Sequence, residues 1–125
     1  MGGTELDLTA GPAWFGAGSV RRLPDVVAAT GAGLAVVITD AGLVATGLAD
    51  WVTELLDGAG LTVTVFDGVH ANPTTGDLAA GADTVRSALD QAALDQPASP
   101  AVACLVAVGG GSPIEIGRAS CRERV

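Results

Sequence analysis

The amino-acid sequence predicts an α/β fold, in which helices cover both faces of an open parallel sheet. Three apolar runs of strand length, residues 34–39, 61–66 and 102–108, are separated by segments whose apolar residues recur at helical spacing. Strands and helices that alternate in this way form parallel sheets through crossover connections. The composition agrees, because 18 Gly and few aromatic residues in a chain that is 49% hydrophobic are typical of buried parallel strands joined by tight turns.

The first third of the chain predicts a hairpin and a short helix. Residues 5–18 alternate briefly and then turn on glycines, which indicates a short strand or a hairpin. Ser19 is suited to cap a short turn, and Pro24 fits the first position of a helix that runs to about Thr30. Gly31 follows as a stop signal.

The middle of the chain predicts two strands with one helix between them. Residues 34–39 are continuously apolar, so both faces of this strand should be buried. Residues 42–57 carry apolar side chains at helical spacing and predict a single helix. Residues 61–66 alternate apolar residues with Thr, which indicates a strand nearer the edge of the sheet.

The last third predicts a long helix and the most apolar strand. Thr74 and Asp77 suit the first turn of a helix whose apolar residues recur as far as Leu89. A linker with two prolines, residues 97–100, precedes residues 102–108, which are apolar throughout. We therefore expect residues 102–108 to form the central strand.

The composition excludes several classes of partner. Six basic against 14 acidic residues give a formal charge of −8, which is the wrong sign for contacts with nucleic-acid phosphates. No apolar run reaches the roughly 18 to 20 residues of a membrane span, and the first residues lack the pattern of a signal peptide. We therefore expect a cytoplasmic protein with no nucleic-acid or membrane partner. Two Cys and one His offer no zinc-type spacing.

The last ten residues differ from the rest of the chain in charge, since three of the six basic residues fall in residues 116–125. The codons ATC GGA AGA GCG TCG TGT AGG GAA AGA GTG encode this segment in one frame and resemble a common sequencing adapter. We therefore predict that residues 116–125 are a non-native, adapter-derived tail, and exclude them from the fold prediction. A genuine basic tail is the alternative.

A glycine-rich turn follows residues 102–108 directly. Gly109, Gly110 and Gly111 let the backbone approach a ligand without a Cβ in the way, and Ser112 can cap the next helix. Free N–H groups at a helix N-terminus bind anions, so a pyrophosphate would suit this position. The alternative is a turn that only joins the strand to the helix.

Two polar residues follow the other strands, where open α/β sheets bind ligands. An acidic residue at the position of Asp40 can accept hydrogen bonds from a ribose 2′-OH and repel a 2′-phosphate, which favours NAD over NADP. A helix N-cap would satisfy Asp40 equally well. Asn72 lies in a loop that could close over a nucleotide or could form a simple turn. We expect His70, the one histidine, to be a loop or surface residue rather than a metal ligand.

Five segments, in this order and spacing, resemble the N-terminal part of the iron-containing (group III) alcohol dehydrogenases. They are FGAG at residues 15–18, VITD at 37–40, VFD at 65–67, NPT at 72–74 and AVGGGSPI at 107–114. The likeness covers nearly all of residues 10–114, and it is the combination that is specific. It implies a truncated, Rossmann-like N-terminal domain, so that residues 1–115 would be a partial dinucleotide-binding domain.

The resemblance also implies a cofactor and its binding residues. These residues are Asp40, Asn72, Gly109, Gly110, Gly111 and Ser112. Asp40 would contact the adenosine ribose of NAD, Asn72 would lie along the cofactor, and the glycine turn would hold the pyrophosphate. In the family a helical C-terminal domain binds Fe²⁺ or Zn²⁺ through one Asp and three His, which the resemblance places outside this chain.

The activity that the resemblance implies is hydride transfer between NAD and a small-molecule alcohol or aldehyde, in a homo-oligomeric parent enzyme. The metal would polarise the alcohol oxygen. Because its ligands would lie elsewhere, we expect this chain to be an inactive fragment of an iron-containing, NAD-dependent alcohol dehydrogenase. Two alternatives remain: a glycerol dehydrogenase or maleylacetate reductase relative, and a non-enzymatic flavodoxin-like or receiver-like module that binds a nucleotide or an anion.

Overall fold

The computed structural model describes residues 4–8, 11–96, 102–110, 113–114 and 116–117. In chain order, the elements of this part are β1 (Thr4–Leu8), β2 (Gly11–Phe15), a 3-10 helix (Ser19–Arg22), α1 (Leu23–Ala29), β3 (Leu34–Ile38), α2 (Ala41–Ala45), α3 (Leu48–Gly58), β4 (Thr62–Phe66), α4 (Thr75–Asp95) and β5 (Ala103–Ala107). None of these helices combines the length and the hydropathy needed to cross a bilayer.

Three of the strands form a parallel sheet in the order β4-β3-β5. Its register brings Ile38, Phe66 and Ala107 level with one another at the carboxyl edge. β1 and β2 pair separately as an antiparallel hairpin, one of the two arrangements that the alternation in residues 5–18 predicts. The open parallel sheet is therefore confirmed, and so is the position of β4 at its edge.

Helices cover both faces of this sheet. Every residue of β3 is buried, and successive side chains of a strand point to opposite faces. The cluster against α1 and α3 consists of Val27, Ala32, Ala35, Val37, Val52, Leu56, Leu61 and Val106. The cluster against α4 consists of Val36, Ile38, Val69, Val85 and Ile116. The predicted layering, with the core on both sides of β3, is confirmed.

Three local predictions are wrong. Residues 42–57 form two helices, because Gly47 takes a left-handed conformation (φ 84°) between α2 and α3 while the apolar spacing continues across the break. β5 is an edge strand of this sheet and β3 is the central one. An apolar run indicates that both faces are covered, and it carries no information about pairing at the two edges. Ser19 is not a cap, since Gly18 occupies the N-cap position of the 3-10 helix.

Two residues of the predicted tail are described. Ile116 and Gly117 have helical backbone, and the side chain of Ile116 is buried in the cluster against α4. This burial shows that an apolar side chain fits at position 116. The origin of residues 116–125 stays a prediction.

Candidate functional site

The carboxyl ends of the three parallel strands are joined by hydrogen bonds of Thr39 and its neighbours. The Thr39 N–H donates to the Phe66 carbonyl at 2.8 Å, and the Thr39 hydroxyl donates to the Val108 carbonyl at 2.9 Å. The Val108 N–H in turn donates to the Ile38 carbonyl at 2.9 Å. Thr39 is fully buried. This residue therefore holds the ends of β3, β4 and β5 in one place.

Asp40 follows Thr39 directly and caps α2. Its Oδ1 accepts a hydrogen bond from the Leu43 N–H at 2.9 Å, and its backbone forms an isolated bridge with Gly68. The helix-cap alternative is therefore what the structure shows. A carboxylate has two oxygens with about four acceptor sites, so this cap is compatible with a further hydrogen bond from a ribose hydroxyl.

Leu43, whose N–H is capped by Asp40, packs close to the first residue of the glycine turn. Gly109 has a φ of 137°, and a Cβ on it would lie 2.8 Å from Leu43 Cδ1 and 2.9 Å from Pro113 Cγ. The backbone conformation therefore favours glycine there, and any larger residue would also displace Leu43 or Pro113. Apart from its chain neighbours, a Cβ on Gly110 would meet no atom of the described residues within 4 Å. As far as these residues go, the space at Gly110 is open, and a ligand phosphate could approach it closely.

The loop between β4 and α4 is organised around the buried side chain of Asp77. Asp77 Oδ1 lies 2.6 Å from His70 Nδ1, and Oδ2 accepts from the N–H groups of His70 at 3.1 Å and of Thr74 at 3.4 Å. Thr74 Oγ1 accepts from the Asp77 N–H at 3.1 Å, which completes a capping box. The hydrogen bond from the His70 ring holds the pKa of the Asp77 carboxyl below its usual value, against the opposing effect of burial.

The structure brings part of the predicted site together. Asp40 and the Gly109–Gly110 turn both follow the carboxyl ends of neighbouring strands, β3 and β5, and Asn72 is an exposed residue of the loop that follows β4. Gly111 and Ser112 lie outside the described residues. Cofactor binding by any of these residues stays a prediction.

The sequence patterns did not single out the roles of Thr39 and of the His70–Asp77 pair. A polar residue that ends an otherwise apolar strand is a signal for a residue like Thr39. The Thr-x-x-Asp spacing predicts a capping box, but the approach of His70 depends on the path of the loop. His70 is a loop residue with a largely exposed ring, as expected.

Within the described ranges, no group of three or more His, Cys, Asp or Glu side chains could hold a metal ion. These residues therefore do not form the metal centre of the resembled family. The expectation that the ligands lie outside the chain stays a prediction.

The family model of the iron-containing alcohol dehydrogenases matches residues 11–123. The chain belongs to this family. Its membership confirms the resemblance carried by the five sequence segments, and it decides against a free-standing flavodoxin-like or receiver-like module. The glycerol dehydrogenase and maleylacetate reductase alternatives are not tested by it.

Two curated relatives are similar in sequence to this chain. It is 36% identical over 101 residues to the lactaldehyde reductase of Escherichia coli (strain K12), a match that covers 81% of this chain and 23% of that protein. It is 32% identical over 104 residues to the choline dehydrogenase of Bacillus subtilis (strain 168), covering 83% of this chain and 23% of that protein. The chain thus spans about a quarter of the length of these relatives.

Solved structures of the family share the fold. A 1,3-propanediol oxidoreductase superposes with a TM-score of 0.67 at 29% identity, over 83% of this chain and 24% of that one. A sulfoacetaldehyde reductase from Bifidobacterium kashiwanohense in complex with NAD⁺ gives a TM-score of 0.67 at 26% identity, over 85% and 24%. These neighbours confirm the Rossmann-like architecture of this iron-containing alcohol dehydrogenase family member.

Proposed function

We propose that the chain is the dinucleotide-binding part of an iron-containing, NAD-dependent alcohol dehydrogenase that interconverts a small alcohol and its aldehyde. The observation that carries the proposal is the turn at Gly109 and Gly110, which leaves open space at Gly110 and follows the carboxyl end of β5, next to the strand that ends at Asp40. This is where open α/β sheets bind dinucleotides. A structural neighbour that binds NAD⁺ supports the same assignment.

The described residues fit the cofactor in two respects. A carboxylate at Asp40 can accept from ribose hydroxyls and repel a 2′-phosphate, which favours NAD over NADP. Gly110 carries no side chain to obstruct the pyrophosphate. Asn72, Gly109, Gly111 and Ser112 complete the proposed binding set. NAD, when bound, supplies the nicotinamide that exchanges hydride with the substrate.

The metal has no place among the described residues, so no step of the reaction is assigned to it in this chain. We place its ligands for Fe²⁺ or Zn²⁺ in the remainder of a longer, homo-oligomeric, cytoplasmic parent enzyme. Residues 1–125 should then bind a nucleotide without catalysis. Alcohol oxidation by this chain with NAD⁺ and Fe²⁺ would contradict that part of the proposal.

The proposal is tested by titrating the chain with NAD⁺ and NADP⁺ in a calorimeter, with circular dichroism recorded on each sample to establish that it is folded. We expect NAD⁺ to bind more tightly. Asp40→Asn keeps an oxygen to cap Leu43 but loses the charge, so it should reduce the preference for NAD⁺ by about tenfold, or 1.4 kcal/mol.

The matched control is Asp50→Asn, which removes the same charge from an exposed position in the first turn of α3. It should leave both affinities unchanged. A folded chain with no affinity for NAD⁺ would contradict the proposal. An unchanged preference in Asp40→Asn would contradict the role of Asp40 alone.

A further inference from the structure

Asp77 makes more hydrogen bonds than its place in the helix requires. A capping box needs only the reciprocal pair between the N-cap residue and the third residue of the helix, which Thr74 and Asp77 form. The Asp77 carboxylate also accepts from the backbone and from the ring of His70, seven residues upstream, at 3.1 and 2.6 Å. Both distances are shorter than the 3.4 Å to the Thr74 N–H. The carboxylate therefore holds the upstream part of the loop as well as the helix end.

Asn72 lies midway between the two residues that this carboxylate anchors. His70 is fixed two positions before it and Thr74 two positions after it. Pro73 restricts the backbone further, and Val69, just ahead of the loop, is buried in the cluster against α4. The backbone course of an exposed residue, Asn72, is thus set by buried contacts on both sides.

We propose that Asp77 and His70 are positioning residues for Asn72, and that their pair fixes the loop in the conformation in which Asn72 lies along a bound dinucleotide. The proposal rests on the proposed function, because the position of Asn72 affects binding only if this edge of the sheet takes a nucleotide. Both residues would act through Asn72 and not by touching the ligand.

The chemistry of the pair suits this role. The Asp77 side chain is only 6% exposed, and a buried carboxylate must keep its hydrogen bonds. The His70 ring is 75% exposed, so its order comes from the bond to Asp77 and not from burial. Bonds to a charged carboxylate are shorter and stronger than neutral ones. Together these features make the loop stiffer than the capping box alone would.

The first experiment reads the pair directly by NMR of the His70 ring nitrogens. His70 is the one histidine in the sequence, so its ring signals need no assignment. Because Nδ1 faces a carboxylate, the neutral ring should carry its proton on Nδ1. In Asp77→Asn the amide group can donate to Nδ1, and the proton should move to Nε2. Amide exchange at His70 and Thr74 should also become about tenfold faster.

The matched control is Asp83→Asn, which removes a carboxylate from the same helix but from an exposed pair with Arg86. It should change neither the ring signals nor the exchange. A bare Nδ1 in the unaltered chain, or unchanged exchange in Asp77→Asn, would overturn the positioning of the loop by Asp77. Neither readout involves a nucleotide.

The second experiment connects the pair to NAD⁺. Asp77→Asn and His70→Ala should each weaken NAD⁺ binding by about tenfold, and neither should weaken it further in a chain that already carries Asn72→Ala, because residues that act through one another are not additive. Asp83→Asn should bind as the unaltered chain does. His70→Ala leaves the capping box intact, so it decides the question if Asp77→Asn does not fold.

The two proposals fail in different ways. Undiminished NAD⁺ affinity in folded Asp77→Asn and His70→Ala, or effects that add to that of Asn72→Ala, would overturn the positioning role and leave the proposed function standing. A folded, unaltered chain that does not bind NAD⁺ would overturn the proposed function and, with it, the effect of the pair on binding. The NMR result would then show only whether Asp77 orders the loop.

Discussion

The substitution Thr39→Val examines whether one buried hydroxyl holds the strand ends together. Valine keeps the branched shape of threonine but cannot donate to the Val108 carbonyl, which accepts from Thr39 Oγ1 at 2.9 Å. The backbone bonds from Thr39 to Phe66 and from Val108 to Ile38 remain, so we expect the sheet to form. The perturbation is thus confined to one side-chain bond between β3 and β5.

The magnitude follows from the setting of this bond, which is partly buried because Thr39 is 0% exposed and Val108 is half-buried. A buried acceptor left without its partner costs about 1–3 kcal/mol, and the more apolar valine side chain offsets part of that cost, by about 0.8 kcal/mol. We therefore expect the free energy of unfolding to fall by about 0.2–2 kcal/mol. For a domain of this size, each 1 kcal/mol lowers Tm by roughly 4 °C.

The assay is urea denaturation followed by circular dichroism, together with amide exchange at Val108 and Gly109. Thr39→Ser is the control, because it keeps the hydroxyl and loses only a methyl group. Both variants should be less stable than the unaltered chain, but exchange at the glycine turn should become faster only in Thr39→Val. A Thr39→Val chain as stable as the unaltered one, with unchanged exchange, would refute the reasoning.

Three further predictions concern the glycine turn, the acid limit and the core. Gly109→Ala should lower the free energy of unfolding by about 1–3 kcal/mol, because Gly109 has a positive φ and is closely packed. Gly110→Ala should change it by less than about 0.5 kcal/mol, and urea denaturation of the two variants tests the difference. The hydrogen bond from the His70 ring lowers the pKa of Asp77 in the folded chain, so stability should be lost as the pH falls from 3.8 through this lower folded pKa. Asp77→Asn should remove this contribution to the pH dependence, and urea midpoints measured at pH 2–6 would show it. Leu56→Ala in the core should cost about 2–5 kcal/mol, and Leu94→Ala, 76% exposed, less than about 0.5 kcal/mol, as their Tm values would show.

The layering of the fold could be predicted because a strand that is buried on both faces carries apolar residues at every position. β3 is apolar at every position and is buried at every position. The order of strands is less accessible, since β3 and β5 are both apolar and only one of them is central. The break between α2 and α3 at Gly47 could not be predicted either, because a glycine within a helical pattern is compatible with one continuous helix.

The candidate site, like the fold, could be predicted from the sequence only in part. Asp40, Gly109 and Gly110 could be located because the ends of parallel strands meet at one edge, wherever those strands lie in the sheet. The His70–Asp77 pair could not, because a contact between residues seven apart across a loop depends on the backbone course, which a proline and a capping box restrict but do not determine. The cap formed by Asp40 was one of two roles that the sequence left open, and the structure shows it.

The carboxyl edge owes its shape to contacts within the chain. Thr39 fixes the ends of the strands, and Leu43, whose N–H is capped by Asp40, packs against the position of Gly109. A site that is ordered before a ligand arrives loses less conformational entropy on binding. Thr39 and Leu43 only shape this edge, whereas Asp40 and Gly109 both shape it and belong to the proposed binding set. Substitutions at Thr39 or Gly109 should affect stability first, whereas those at Gly110 should affect affinity first.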